Sequence, residues 1–149
     1  MKNRKFMPTT YLLISIIAII GFHLITTGTR VDFYVLKLLG TIPLLFGVTI
    51  NLIADNSFKK HNTTVKPYKE SNALITTGIF SLTRNPMYLG FIMILLGIAI
   101  LLGSITSYLI VILFAVHMRL QFVRTEETAL EKRFGSKWYK YRDRVRRWV

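Results

Sequence analysis

Residues 85–118 read NPMYLGFIMILLGIAILLGSITSYLIVILFAVHM, and no Asp, Glu, Lys or Arg interrupts them. A run of about 34 residues is too long for one crossing of about 20 and short for two full ones, so it predicts a chain that enters a bilayer and returns at once. The stretch from Gly103 to Ser107 supplies the turn. Polar groups bracket the run: LITTGIFSLTRNPMY at residues 74–88 before it, and Arg124, Glu126 and Glu127 after it. Such a hairpin brings residues 84–88 and 124–127, distant in sequence, to one membrane face where a site can form.

Working outward, the remaining sequence has the same character. The chain has 149 residues, 52% of them hydrophobic, more apolar surface than a soluble domain of this size carries. Residues 6–29 contain no charged side chain, and residues 33–54 contain only Lys37. The expected fold is therefore all-α and integral to a membrane, one domain over residues 1–149. Four transmembrane helices are placed near residues 8–28, 33–54, 86–103 and 105–123, followed by an amphipathic segment at 125–149. The uncharged length of the first stretch favours a retained span over a cleaved signal, whose apolar region is usually about 7–15 residues. Pro43 is expected to kink the second span, and Gly90, Gly97 and Gly103 to permit close helix contact. Cysteine is absent, which excludes disulfides, thiolate metal sites and cysteine nucleophiles. His23, His61 and His117 are too scattered to suggest a metal site, and neither GxGxxG nor GxxxxGK[ST] occurs.

The net charge of +13 is arranged as a topology signal. Lys2, Arg4 and Lys5 precede the first span, Lys59, Lys60, Lys66, Lys69 and Arg84 lie between spans two and three, and ten further Lys or Arg follow from Arg119 onward. The opposite side keeps only Arg30 and Lys37. The positive-inside rule then puts both termini in the cytoplasm, in the expected setting of a prokaryotic plasma membrane, and makes nucleic acid a poor partner. In the tail, Leu130, Phe134, Trp138, Tyr141, Val145 and Trp148 recur at spacings of three and four among basic residues, with a break expected at Gly135. This stripe suits membrane lipids in the headgroup layer or packing against the cytoplasmic loop. It also supports a rival reading, a non-enzymatic membrane protein whose tail binds anionic lipid or a partner. Oligomeric state is not legible.

Asn85-Pro86 is a favourable helix start, and the unpaired N–H groups of the following turn suit a carboxylate or phosphate. At the other wall, an uninterrupted α-helix places His117, Arg124, Glu127 and Glu131 on one face and Arg119 with Glu126 on the opposite one. Adjacent Glu126 and Glu127 point about 100° apart, so one of them leads into a pocket. If the Arg124 face lines it, Glu127→Gln weakens ligand binding more than Glu126→Gln. Ionisable groups at the end of an intramembrane helix favour a functional role over an ordinary surface pair.

These residues resemble the isoprenylcysteine carboxyl methyltransferase and phospholipid N-methyltransferase group of integral membrane enzymes. The resemblance covers roughly residues 63–148. It rests on TVKP at 64–67, ALITTGIF at 73–80, RNPMYLG at 84–90, Glu126-Glu127 with Leu130, and Phe134-Gly135 with Trp138-Tyr139. It implies a methyltransferase that uses S-adenosyl-L-methionine and a lipophilic or lipid acceptor, either an isoprenylcysteine-like carboxylate or a lipid amine. By resemblance, cofactor contacts fall on Asn72, Ala73, Leu74, Ile75, Gly78, Phe80, Asn85, Pro86, Met87, Tyr88, and Glu126 or Glu127, with Arg124 facing the substrate. Phe80 and Asn85 depart from the Tyr and His of the eukaryotic carboxyl methyltransferases, which puts the eukaryotic substrate in doubt. No metal is implied.

Overall fold

A computed structural model describes residues 6–25, 34–63 and 71–149. No strand occurs among them. The helices are α1 (Pro8–Ile25), α2 (Tyr34–Leu38), α3 (Thr41–Lys60), α4 (Pro86–Leu102), α5 (Ile105–Met118), α6 (Arg124–Phe134) and α7 (Ser136–Arg144). A π-helical turn, Arg119–Val123, joins α5 to α6, and a short 3-10 turn, Gly78–Ser81, precedes α4. Three helices are long and apolar enough to cross a membrane: α1, α3 and the continuous 30-residue helix Ile105–Phe134. The apolar α4 is shorter, at 17 residues.

The expected second span, residues 33–54, differs from the structure at both ends. The helix is interrupted at Leu39-Gly40, so that Pro43 falls in the first turn of α3 and no kink is needed. A proline there forfeits no intrahelical hydrogen bond, because first-turn N–H groups lack such partners anyway. At the other end α3 runs on to Lys60 as a polar extension, where Lys59 and Asp55 pair at 2.5 Å. The expected turn at 103–107 shrinks to Gly103-Ser104. Gly103, at φ 63° and ψ 24°, donates its N–H to the Ala99 and Ile100 carbonyls, and α5 begins at Ile105. Only a residue without a Cβ adopts that left-handed geometry cheaply.

Helix α4 is the centre of the bundle, packed most extensively on α3 and also on α5, α1 and α2. Lipid tails are as apolar as leucine, so close van der Waals packing holds such helices together rather than the hydrophobic effect. The sequence meets that need with small residues seven apart: Gly40, the N-cap of α3, and Gly47 within it face Gly97 and Gly90 on α4. A Cβ on Gly97 would lie 2.6 Å from the Leu44 nitrogen and 2.7 Å from the Gly40 oxygen, so the two backbones touch. Asn51 packs over Gly90 and donates to its own helix at the Gly47 carbonyl, 2.9 Å away. On the other side, Phe91, Leu95 and Ala99 of α4 join Ile19, Val111, Phe114 and Met118 in the main core. The outward faces of α1, α3 and α5 expose Ile14, Ile17, Leu45, Phe46, Leu109 and Ile112, an apolar exterior that suits lipid.

Candidate functional site

The loop before α4 owes its shape to the C-terminal tail. Gly78, at φ 62°, turns the chain into the 3-10 segment that carries Phe80 inward. There Phe80 is buried with Ala54 and Ile75, its ring 5.3 Å from that of Phe58 and nearly perpendicular to it. Its carbonyl accepts a 2.7 Å hydrogen bond from the Tyr141 hydroxyl of α7. Burial pushes the Tyr141 phenol well above its ordinary pKa, so it stays a neutral donor. Further along, the Arg84 N–H donates to the Arg146 carbonyl at 3.1 Å, while the Thr83 hydroxyl and the Asn85 side-chain amide both donate to the Arg147 carbonyl, at 3.1 and 3.2 Å. The tail is thus a strap across residues 80–85, and Trp138 and Tyr141 of α7, with Val145 just past its end, are buried against Leu74, Leu130 and Phe134. Gly135, at φ 49°, separates α6 from α7 where the sequence predicts a break.

Asn85 holds the N-cap position of α4, but its side chain makes no cap hydrogen bond; its amide nitrogen donates to the Arg147 carbonyl. The first turn of α4 therefore keeps its backbone N–H groups without that side-chain cap.

The second wall is α6, and the π turn sets its orientation. The Arg124 N–H reaches back five residues to the Arg119 carbonyl. One extra residue in that turn rotates everything beyond it by about 100° relative to an uninterrupted α-helix. His117 consequently does not share a working face with Arg124 and Glu127. Its ring lies tilted against that of Tyr11, 4.5 Å between centroids, whereas Arg124 is exposed and contributes nothing to the cavity described below. Glu126 turns inward instead, accepting a 2.5 Å hydrogen bond from the Tyr88 hydroxyl. Glu127 turns toward the strap. Its carboxylate receives Arg147 through Nη2 at 2.6 Å and through Nε at 3.1 and 3.2 Å, and the Arg84 guanidinium stands 3.6 Å away. The hydrogen bonds to Glu127 raise the Arg147 pKa, while burial lowers that of Arg84 despite the nearby acid.

A cavity of about 250 Å³ opens between these walls. Phe80, Asn85, Pro86, Met87, Tyr88 and Glu126 line it, six of the residues the sequence singles out. The other expected site residues stand behind or beside it. Asn72 is exposed and donates its backbone N–H to the Thr63 hydroxyl, and Ala73 and Gly78 do not reach the cavity. Leu74 packs on α7, Ile75 lies behind Phe80, and Glu127 serves the strap. The 64–67 motif lies outside the described residues. Met7, Pro8, Thr9, Phe58 and Phe91 also line the cavity without any assignment from the sequence, and so does Arg84, from the 84–88 segment expected at the site face. Only Arg84 carried a signal, through its place beside Asn85-Pro86; the start of α1 and Phe58 join through tertiary packing alone. Among the described residues no cluster of three or more His, Asp or Glu is arranged to hold a metal ion.

Comparison with known proteins identifies the family of the chain. The sequence profile of the phospholipid methyltransferase family matches residues 35–137, more than half of the chain. A protein-S-isoprenylcysteine O-methyltransferase from Schizosaccharomyces pombe is 36% identical over 76 residues, 51% of this chain and 32% of that protein. An uncharacterized protein from Haemophilus influenzae is 38% identical over 63 residues, 42% of this chain and 100% of its own length. The match thus spans about a third of the yeast enzyme, and no solved structure matches. With the family profile running from α2 through the cavity walls into α7, the chain belongs to the phospholipid methyltransferase family.

Proposed function

We propose that this protein is a membrane methyltransferase that moves a methyl group from S-adenosylmethionine to a nucleophile on a lipophilic molecule, an isoprenylcysteine-like carboxylate or a lipid amine. The observation that carries the reading is the Tyr88–Glu126 hydrogen bond inside a cavity built from both motif-bearing walls. The chemistry of the lining fits the cofactor. Glu126 suits an ammonium or a ribose hydroxyl, the start of α4 suits a carboxylate, and Phe80 and Tyr88 offer aromatic surfaces to an adenine.

When bound, the cofactor supplies an electrophilic methyl group on a sulfonium, open to in-line displacement. The residues' task is then alignment and exclusion of water rather than acid–base chemistry. Tyr88 fixes the Glu126 carboxylate, the strap holds Phe80 and Asn85 in place, and Phe58, Met87 and Phe91 give the cavity a dry lining. Glu127 acts through Arg147 as a support of the strap, and Arg124, exposed on α6, is not assigned a catalytic part.

The same reading takes the chain across the membrane four times, through α1, α3, α4 and α5, with both termini on the cytoplasmic side. The 17 residues of α4 meet the lower limit for a spanning helix, and the basic segments fall on one side. The tail's apolar stripe is used within the molecule, against Leu74, Leu130 and Phe134, which weighs against its being chiefly a docking surface. The test is to incubate the reconstituted protein with methyl-labelled S-adenosylmethionine and a native lipid extract, then identify labelled lipid by mass spectrometry. The absence both of label and of calorimetric binding of S-adenosylmethionine or S-adenosylhomocysteine by folded protein sinks the proposal.

A further inference from the structure

The inward face of α7 is used by the fold, and its flank is not. Trp138, Tyr141 and Val145 are buried, and the residue just before each of them is a cation: Lys137, Lys140 and Arg144. One residue is about 100° of helix, so these three form a stripe beside the buried face, and all three are exposed. Lys132 and Arg133 near the end of α6, Arg142 in α7 and Arg146 beyond it are exposed as well. Residues 132–146 thus carry seven basic side chains against one acid, Asp143, which Arg142 engages at 3.4 Å. The preceding acid, Glu131, accepts from the Tyr139 hydroxyl. Lys137, Lys140 and Arg144 have no acidic partner among the described residues.

The place of this patch in the fold selects its partner. Helix α6 is the polar end of the continuous helix Ile105–Phe134, whose uncharged stretch ends at Arg119, so the patch lies just past a membrane boundary. Tyr139, 41% exposed, and the partly buried Trp148 are amphipathic aromatics of the kind that settle at headgroup level. We propose that the basic flank of the strap is a binding surface for the anionic phospholipid headgroups of the adjacent leaflet. Lys and Arg stems can lie along the boundary while their charges reach the headgroups, within the screening length of about 8–10 Å. The surface is also coupled to the cavity loop. Arg146 exposes its side chain while its carbonyl accepts the Arg84 N–H, and Tyr141, between Lys140 and Arg142, donates to the Phe80 carbonyl. A ligand that favours the docked strap stabilises whatever the docked strap holds, so anionic lipid tightens residues 80–85.

The test uses the full chain reconstituted in phosphatidylcholine bilayers with a trace of spin-labelled phosphatidylglycerol or spin-labelled phosphatidylcholine, and reads the motionally restricted fraction of each. In the wild type, phosphatidylglycerol is expected to associate about three- to tenfold more strongly than phosphatidylcholine at low salt, with the preference falling toward unity near 1 M salt. The triple variant Lys137→Gln, Lys140→Gln, Arg144→Gln should lose at least about half of that preference with an unchanged unfolding midpoint. Lys59→Gln, Lys60→Gln, Arg124→Gln removes as many charges away from the stripe and should keep most of it. Replacing about 30% of the bilayer with phosphatidylglycerol should slow amide exchange in residues 80–85 of the wild type by about threefold or more, but not in the first triple variant. A wild type without lipid preference overturns the inference with no substitution needed, and so does equal loss in the two triple variants, which would mean a diffuse field rather than a surface. Exchange at residues 80–85 that ignores lipid charge overturns the coupling. Binding of soluble polyglutamate to the protein in phosphatidylglycerol bilayers would show the flank turned away from the lipid and overturn the choice of partner.

Discussion

Glu126 and Glu127 are consecutive, and the angle of about 100° between them gives each a different partner. Glu126 meets the Tyr88 hydroxyl in the cavity, and Glu127 meets Arg147 on the strap. Their substitutions should therefore fail differently. Glu126→Gln is expected to weaken S-adenosylhomocysteine binding by about tenfold or more with a near-normal unfolding midpoint, because a charged contact is lost but the amide still accepts from Tyr88. Glu127→Gln leaves Arg147 and Arg84 without their shared anion and should cost about 1–3 kcal/mol of stability, read from detergent unfolding curves, with the smaller direct effect on binding. If Glu127→Gln reduced affinity at unchanged stability, the support role would be wrong. The sequence was enough to show that the two acids diverge. It leaves open which of them turns inward, because an angle counted from His117 along an α-helix does not hold across the intervening π turn, which adds a residue that no pattern in Arg119–Val123 announces.

Two elements are structured around backbone geometry. In the π turn, deleting Gln121, an exposed residue, should convert the segment to regular α-helix and leave Glu126 facing Tyr88, because the π turn absorbs one extra residue. The expected outcome is a folded, membrane-inserted protein that keeps its affinity for S-adenosylhomocysteine; lost affinity in folded protein would mean that α6 does not take its phase from the extra residue of the π turn. The α3–α4 seam is the second. Gly97→Ala forces a Cβ against the Leu44 nitrogen and the Gly40 oxygen, backbone atoms that cannot move aside alone, and should destabilise the bundle by about 1–3 kcal/mol. Gly21, whose Cβ position is open, is the control, expected to change stability little. The close contact expected of Gly90 and Gly97 was legible because small residues at regular spacing mark touching helices. The break at Leu39-Gly40 was not, since an apolar run does not show where a helix restarts to place Pro43 in its first turn.

For the whole molecule, the arrangement depends on a strap that joins the last residues to the cavity loop. Removing residues 146–149 deletes the carbonyls that hold Thr83, Arg84 and Asn85 and the guanidinium that holds Glu127. Amides of residues 80–85 should then exchange hydrogen at least about tenfold faster, with α4 and α5 protected as before; unchanged exchange would show that the loop is held by α7 alone. The chain contains no cysteine, so single cysteines can report its topology directly. Ile105→Cys should be labelled by an impermeant reagent from the side opposite to Ser136→Cys, and same-side labelling would exclude the four-crossing arrangement.

The sequence by itself determined that the chain is helical and membrane-bound, which segments are apolar, and that residues 84–88 and 124–127 flank one uncharged run, because hydrophobic length and charge placement are local properties. The tertiary structure decided which glutamate turns inward, that Arg84 rather than Arg124 lines the cavity, and that the tail clamps the loop. Those outcomes depend on helix phase after a π turn and on hydrogen bonds between residues more than 60 positions apart, which local sequence does not encode.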